Sequence, residues 1–256
     1  MTVREDDGPG GEDAERVAQV QRGRIAHELT AAVRGLAPAA MPDALCRVCV
    51  TLLPEVSGLS VSVGGLDEGT GVLLFASDEV AALLAETQYT LGEGPCTEAV
   101  RLRAPVLVPD LASGPGARRW PLFTARAAEA GAEAVFSLPL PGAAVPLGTL
   151  DMYRRSAGGM SDEHLRTALL VADVLTLAVT ALDHASAGSA DVVPLLEGAQ
   201  SDREEVYQAT GMIMVQLGVS AEEALLRLRA RAFAQDRTSV DIARAVIDRT
   251  MDMRHE

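Results

Sequence analysis

Three amphipathic helical segments, joined by short connections, fill residues 201–251 and constrain the fold of this chain more than any other feature. The first segment is predicted to begin at Ser201, because Ser201 and Glu204 fit a capping box at a helix start. It is predicted to end at Gly218, since glycine readily takes the left-handed conformation that terminates helices. Short amphipathic helices bury their apolar faces against one another, so a small all-α three-helix bundle is predicted.

The second and third helices of this bundle carry their own start signals. Ser220 and Glu223 form another capping-box pattern, and Thr238 or Ser239 precedes the third helix. The apolar residues that recur at helical spacing, and are therefore predicted to form the core of the bundle, are Val206, Ala209, Ile213, Leu217, Ala224, Leu225, Leu228, Ala232, Val240, Ala243, Val246 and Ile247.

The preceding part of the chain mixes stretches of strand periodicity with stretches of helical periodicity. Strands are predicted at residues 59–63, 72–76, 105–109, 134–140 and 147–153. Helices are predicted at residues 14–36, 43–56, 78–90, 120–131 and 161–184, with a short helix that ends near residue 101. A glycine-rich turn joins the first two strands as a hairpin, which is typical of antiparallel sheets. The fold class is therefore α+β, followed by the helical bundle.

These patterns divide the chain into four segments. Residues 1–13 are acidic and rich in glycine and are expected to form a disordered tail. Residues 14–185 are predicted to be the α+β domain with its N- and C-terminal helices. Residues 186–200 are mostly small and include a proline, which predicts a linker, and residues 201–253 are predicted to be the bundle.

The charge of the chain limits the partners it can bind. A formal net charge of −14 argues against binding of a polyanion over the whole surface, because affinity for phosphates comes mainly from positive charge. A local basic face remains compatible with this charge, since Arg227, Arg229, Arg231 and Arg237 cluster around the second helix of the bundle. Two interpretations of this cluster stay open on composition alone: ordinary charge pairing at a helix end, and a nucleic-acid surface.

The sequence also indicates a compartment. An odd count of three cysteines is too small for a disulfide scaffold and suits a reducing environment. The first residues lack the apolar core of a signal peptide. The most apolar run, residues 168–182, is interrupted by Asp173 and Thr176 and is too short to span a membrane. A cytoplasmic location without membrane contact is therefore expected.

The bundle segment closely resembles an ANTAR domain, a three-helix RNA-binding module of bacterial transcription antiterminators. The residues that carry the resemblance are 207–220, 223–225, 228–229 and 232–234, with Val240, Ala243 and Val246. The resemblance implies binding of RNA hairpins in a leader transcript. The RNA-binding residues it suggests are Gln208, Thr210, Gly211, Arg227, Arg229, Arg231 and Arg237.

Individual roles follow from the chemistry of these side chains. Gln208 and Thr210 are expected off the buried stripe, where they would offer hydrogen bonds, and arginine supplies both charge and planar stacking. Gly211 permits close approach of RNA, although packing between helices is an equal explanation. Thr210 departs from the family pattern, because many ANTAR domains have lysine at this position.

The α+β segment resembles a GAF domain, a fold that binds small molecules and commonly precedes ANTAR domains in bacterial regulators. The residues that carry the resemblance are 91–99, 103–111 and 147–153, within a match over roughly 38–185. The resemblance implies a central antiparallel sheet with helices on one side and a ligand pocket on the other. The candidate pocket residues are Gly92, Gly94 and Cys96, and the ligand is an unidentified small molecule.

Cys96 invites two interpretations. Its position at the start of a short helix predicts a lowered thiol pKa and a redox-sensing role, whereas burial predicts an inert structural thiol. Cys46 and Cys49 have the spacing of a redox motif but lie in an apolar helix, so they are interpreted as core residues.

No catalytic, metal-binding or cofactor-binding motif stands out in the sequence, which favours a regulator over an enzyme. The leading hypothesis is a ligand-regulated RNA-binding transcription antitermination regulator. A regulator that binds other proteins and one that binds DNA are the alternatives. The apolar stripe of the long helix at 161–184 further predicts a homodimer. The residues of this stripe are Leu165, Leu169, Ala172, Leu175, Val179 and Leu182.

Overall fold

The structure is a computed structural model and describes residues 10–36, 40–64, 72–113, 115–142, 146–186 and 193–254. The strands in these ranges are β1 (Gly58–Val63), β2 (Val72–Ala76), β3 (Val106–Val108), β4 (Ala134–Leu140) and β5 (Gly148–Arg154). The helices are α1 (Gly10–Val33), α2 (Met41–Leu52), α3 (Glu79–Leu91), α4 (Pro95–Leu102), α5 (Pro115–Arg119), α6 (Pro121–Glu129), α7 (Asp162–Ser186), α8 (Val193–Leu217), α9 (Ala221–Ala234) and α10 (Ser239–Ile247).

The five strands form one antiparallel sheet in the order β2-β1-β5-β4-β3. The predicted strands and the predicted hairpin of β1 with β2 are confirmed. Central pairing is continuous, and Val61 of β1 lies opposite Leu150 of β5. The α+β fold class is thereby confirmed for the first domain.

The two faces of this sheet differ in chemistry. One face is apolar and packs against α1, α2 and α7, with Leu59, Phe136 and Leu150 among its buried residues. Successive strand residues point to opposite faces, so the polar Thr149 and Asp151 lie on the second face. Helices α3 and α4 contact the sheet on that side. Val135 and Tyr153 lie on the same face and pack with α3 and α6 in a second apolar cluster, so this face is only partly polar.

The long helix α7 places part of its apolar stripe inside the domain. Ala172 and Leu175 are fully buried in the core that the sheet shares with α1 and α2. Leu169 of the same stripe is exposed, so the domain core uses only part of the stripe, and the homodimer predicted from it stays a prediction. Leu182 lies in α7, but its side chain is outside the described part of the chain.

Several predicted boundaries differ from the structure. Helix α8 begins at Val193, within the predicted linker, so Ser201 lies inside a helix and does not cap one. Pro194 stands in the first turn of α8, where helices tolerate proline because the missing N–H has no partner there. Helix α1 begins at Gly10 within the predicted tail, whereas residues 1–9 and 187–192 are outside the described residues. The loop before Trp120 contains the short helix α5.

The last three helices form the predicted bundle around one buried core. Gly218 ends α8 with a φ of 66°, and the Ser220 side chain accepts from the Glu223 backbone N–H at the start of α9. Thr238 caps α10 through a complete capping box with Asp241. These three signals are confirmed, and they fix where the surface residues of the bundle lie.

Candidate functional site

A cavity of about 60 Å³ lies between the second face of the sheet and helices α3 and α4. Its walls come from β1, β2, β5 and the turn between the two helices. The lining residues are Ser62, Gly64, Leu73, Ala85, Glu86, Gln88, Tyr89, Gly92, Cys96, Thr97, Gly148 and Thr149. The cavity is therefore mixed in chemistry, with hydroxyl, amide, carboxylate and thiol groups among apolar ones.

Two of the three candidate pocket residues, Gly92 and Cys96, line this cavity. Gly92 closes α3 with a φ of 65°, which favours glycine, and its N–H donates to the backbone carbonyls of Gln88 and Tyr89. Gly94 is not among the lining residues. A Cβ at Gly94 would lie 2.6 Å from the Gln88 side chain, so this glycine makes room for Gln88.

Gln88 is the central polar residue of the cavity wall, and the sequence did not single it out. Its side chain is 1% exposed, and its Oε1 accepts a 2.8 Å hydrogen bond from the Cys96 backbone N–H. Its Nε2 is buried and has no hydrogen-bond partner among the described residues. A buried donor left unpaired costs free energy. A ligand that presents a hydrogen-bond acceptor to Nε2 would recover that loss.

Asp151 is buried on the same side of the sheet, behind Thr149. Its carboxylate accepts from the Ser137 hydroxyl and, at 2.7 Å, from the Thr149 hydroxyl. Burial raises the pKa of Asp151 to about 6, although these two hydrogen bonds oppose the rise. The carboxyl group therefore gains or loses its proton in mildly acidic solution.

The three cysteines differ in burial, since Cys46 and Cys49 are buried and Cys96 is half-buried in the cavity wall. Burial, and then the nearby charge of Asp151, raises the pKa of Cys96 well above its usual value. The prediction that the helix start lowers this pKa is wrong, because burial of the sulfur outweighs the hydrogen bonds from the first turn of α4. Cys46 and Cys49 are buried in the domain core, as predicted, and burial raises their pKa values to about 11 and about 12.

The candidate RNA-binding residues of α8 separate into two groups. Gln208 and Gly211 are exposed, and a Cβ at Gly211 would meet no atom within 4 Å among the described residues, so packing between helices does not explain this glycine. Thr210 is buried and its hydroxyl donates to the Val206 carbonyl at 2.7 Å. The expectation that Thr210 lies off the buried part of the helix is wrong, because the residue is only 8% exposed.

The arginine cluster of α9 is also divided. Arg227 is exposed and forms an ion pair with Glu223, with 2.9 Å between Nε and Oε1. Arg229 instead faces the first domain, where its guanidinium lies against Gly92. At about 100° per residue the two side chains lie roughly 160° apart around the helix. Arg231 is partly buried, and Arg237 donates to the Asp241 carbonyl at 3.0 Å.

Two further arginines were not singled out from the sequence. Arg249 and Arg254 border an open groove of about 580 Å³ that is also lined by Gln208 and Gly211. The chain returns along α8 after α10, and the Met253 N–H donates to the Gln216 side chain at 3.1 Å. The groove depends on this return, which no local sequence pattern indicates.

The bundle also touches the first domain at the C-terminal part of α3. Arg126 of α6 forms an ion pair with Asp236, and the Ser239 hydroxyl donates to the Thr90 hydroxyl at 3.4 Å. A groove of about 200 Å³ runs beside these contacts, between α3 and the end of α9. Gly92 both lines the cavity between the sheet and α3 and lies against Arg229 of α9.

Within the described ranges, no group of three or more histidine, cysteine, aspartate or glutamate side chains is arranged to hold a metal ion. Among the helices that the structure describes, none has the length and apolar character needed to cross a membrane.

Comparison with known proteins agrees with both resemblances. The GAF domain family matches residues 39–180, and the ANTAR domain family matches residues 195–247. Both are regulatory families. A search of curated proteins found no match.

Solved GAF domains are similar to the first part of the chain. The GAF domain of a phosphoenolpyruvate-protein phosphotransferase from Coxiella burnetii is 16% identical, with a TM-score of 0.48 over 66% of this chain and 98% of that one. The GAF-B domain of DevS from Mycobacterium smegmatis is 22% identical, with a TM-score of 0.43 over 59% of this chain and 99% of that one.

Proposed function

Because the chain belongs to the GAF domain family and carries an ANTAR domain behind it, we propose that it is a ligand-regulated RNA-binding regulator of transcription antitermination. The observation that carries the proposal is the ANTAR match at residues 195–247, which coincides with a three-helix bundle that exposes basic side chains. The GAF domain supplies a sensory cavity, and the bundle supplies the output.

The RNA surface is the exposed polar side of the bundle. Gln208 and Gly211 lie in the groove with Arg249 and Arg254, and Arg227 projects from α9 into solvent. Arginine contributes charge for phosphates and a planar group that stacks on unpaired bases of a hairpin loop. A surface of this kind is local, which is compatible with the negative charge of the whole chain.

A gel-shift experiment with leader RNAs that contain two hairpins tests this function. We expect the full chain to retain hairpin RNA, and to lose affinity steeply between 50 and 200 mM salt, because binding to phosphates releases counterions. Duplex DNA serves as the competitor. If duplex DNA competes better than hairpin RNA, or if no RNA from a selected hairpin library is retained, RNA binding is refuted.

The sensed ligand is a small molecule that carries a hydrogen-bond acceptor. Gln88 Nε2 offers the unpaired donor, and the hydroxyl-bearing Thr149 and the thiol of Cys96 complete the polar wall. We expect such a ligand to raise the melting temperature of the full chain by mass action, since it binds the folded state. A Gln88→Leu chain should lose that rise, and a ligand that stabilises both chains equally does not use this cavity.

A second copy of the chain is the further partner in this proposal. Val17 and Val20 on α1 and Leu177 on α7 are large apolar side chains in solvent, and the Arg22–Asp173 ion pair holds these two helices together. A dimer through α1 and α7 would cover them. Sedimentation velocity tests it: the chain should sediment as a dimer and a Val20→Glu chain as a monomer. A wild-type monomer at high concentration contradicts it.

A further inference from the structure

One arginine of the ANTAR domain lies at the edge of the GAF cavity. A Cβ at Gly92 would lie 2.5 Å from Nη1 of Arg229 and 3.1 Å from its Cζ, so the guanidinium occupies the space above the glycine. Burial lowers the pKa of Arg229, with partial compensation from the neighbouring Tyr89. The charged group has therefore been taken out of water at this contact.

Two other contacts hold the same edge of the bundle on the GAF domain. The Arg126–Asp236 ion pair joins α6 to the end of α9, and the Ser239 and Thr90 hydroxyls join the start of α10 to α3. Both contacts, like that of Arg229, involve the end of α3 or its neighbour α6. Together the three contacts fix the position of α9 relative to the cavity.

We propose that this contact is an autoinhibitory latch, in which the GAF domain masks the Arg229 side of the ANTAR domain and must release it for full RNA binding. The latch rests on the proposed RNA-binding function and adds its regulation. Gly92 belongs to both sites, since it lines the cavity and supports Arg229. A ligand that fits the cavity only when the turn after α3 shifts would move Gly92 and open the latch, because a ligand favours the state it binds more tightly.

The character of the contact indicates that it is reversible. At the end of α3 it is formed by an arginine, an ion pair with an exposed Asp236 and a hydroxyl pair, and an open groove of about 200 Å³ lies beside it; α8 also touches β2. Polar interfaces between domains of one chain commonly separate, whereas permanent ones are larger and more apolar. RNA that contacts Arg229 then competes with the GAF domain for this side chain, so each weakens the binding of the other.

A substitution at Gly92 tests the latch in the full chain without changing any RNA-facing side chain. Asparagine tolerates the left-handed φ of 65° at this position, and its side chain displaces Arg229. Gly92→Asn should therefore open the latch and tighten binding of a selected hairpin RNA roughly tenfold, if the closed form outweighs the open form by about ten to one. The matched control is Gly35→Asn, with a φ of 75° and no atom within 4 Å of its Cβ, which should leave the affinity unchanged.

A second variant tests the latch independently in case Gly92→Asn does not fold. Arg126→Glu places a carboxylate against Asp236, lies on the GAF domain and leaves the bundle intact. Like Gly92→Asn, this variant should bind the hairpin RNA more tightly than the wild type does. Hydrogen–deuterium exchange without RNA gives an independent readout, because opening should raise exchange in α9 and at the end of α3 in both variants and not in the Gly35→Asn control.

The outcomes separate the two proposals. If the variants exchange faster and bind RNA more tightly, the latch is supported. If they exchange faster and bind RNA as the wild type does, the latch is refuted and RNA binding stands. Unchanged exchange in both variants shows a contact that does not open, which also refutes the latch. If no chain binds RNA, the proposed function fails and the latch fails with it.

Discussion

The Cys96 backbone N–H donates a 2.8 Å hydrogen bond to the Gln88 side-chain Oε1, and this bond joins the first turn of α4 to α3 across the glycine turn between them. Gly94 is part of the arrangement, because a larger residue there would meet the Gln88 side chain. The bond fixes one wall of the cavity and places Gly92 where it meets Arg229. The turn after α3 thus joins the cavity wall to one of the contacts between the two domains.

Gln88→Leu should destabilise the chain, because the buried Cys96 N–H loses its acceptor. The expected loss is about 1–3 kcal/mol of unfolding free energy, reduced somewhat by removal of the unpaired Nε2. Urea denaturation measures it. Gln19→Leu, at an exposed position on α1, is the control and should change the free energy by less than about 0.5 kcal/mol. Equal stability of the two variants would show that the bond contributes nothing.

The stability of the chain should depend on pH through Asp151. Its pKa is about 6 in the folded state against 3.8 as the ordinary value, so the folded state binds the proton more tightly. The stabilisation of the folded state that this group contributes is therefore complete below about pH 4 and is lost as the pH rises through 6. This pKa shift corresponds to about 3 kcal/mol of unfolding free energy.

Asp151→Asn isolates this effect, since every other titrating group is shared with the wild type. The unfolding free energy of Asp151→Asn minus that of the wild type should increase as the pH rises from 4 to 6, and it should then stay constant. Urea denaturation at several pH values measures it. A difference independent of pH would show that Asp151 titrates normally.

The sequence predicted the sheet well because alternation of apolar and polar residues is a local signal. It predicted Gly92 and Cys96 as cavity residues because they stand in or beside a glycine turn. It missed Gln88 and Thr149, which reach the cavity from a helix and a strand far apart in the chain. Contacts of this kind depend on tertiary packing, which spacing along the sequence does not encode.

The helix starts of the bundle also could not all be predicted from local sequence patterns alone. Ser201 and Ser220 both fit capping boxes, yet only Ser220 caps a helix, because α8 already begins at Val193. A run of small residues at 186–200 predicted a linker, whereas α8 begins within it at Val193. The arginine cluster of α9 was recognised from the sequence, but its division between solvent and the GAF domain follows from how the bundle docks.

Two serine substitutions should therefore change the unfolding free energy differently. Ser220→Ala removes the acceptor of the Glu223 N–H and should cost about 1 kcal/mol of unfolding free energy. Ser201→Ala lies in a helix interior, where alanine has the highest propensity, and should be neutral or slightly stabilising. Urea denaturation compares the two. A loss at Ser201 as large as that at Ser220 would indicate a helix start at Ser201.

RNA binding should depend on Arg227 and Arg231, which lie within about 40° of each other around α9 and roughly 160° from Arg229. Removing Arg227 and Arg231 together should weaken hairpin RNA binding and lower the slope of log affinity against log salt by about 0.7–0.9 for each phosphate that the variant no longer neutralises. The control is Arg47→Ala, an exposed arginine of the GAF domain, which should change neither quantity. Weaker binding with an unchanged slope would mean that the arginines act by stacking or packing. Unchanged affinity would place the RNA surface at the groove of Arg249 and Arg254, where the same experiment with both of these changed to alanine should then show the lower slope.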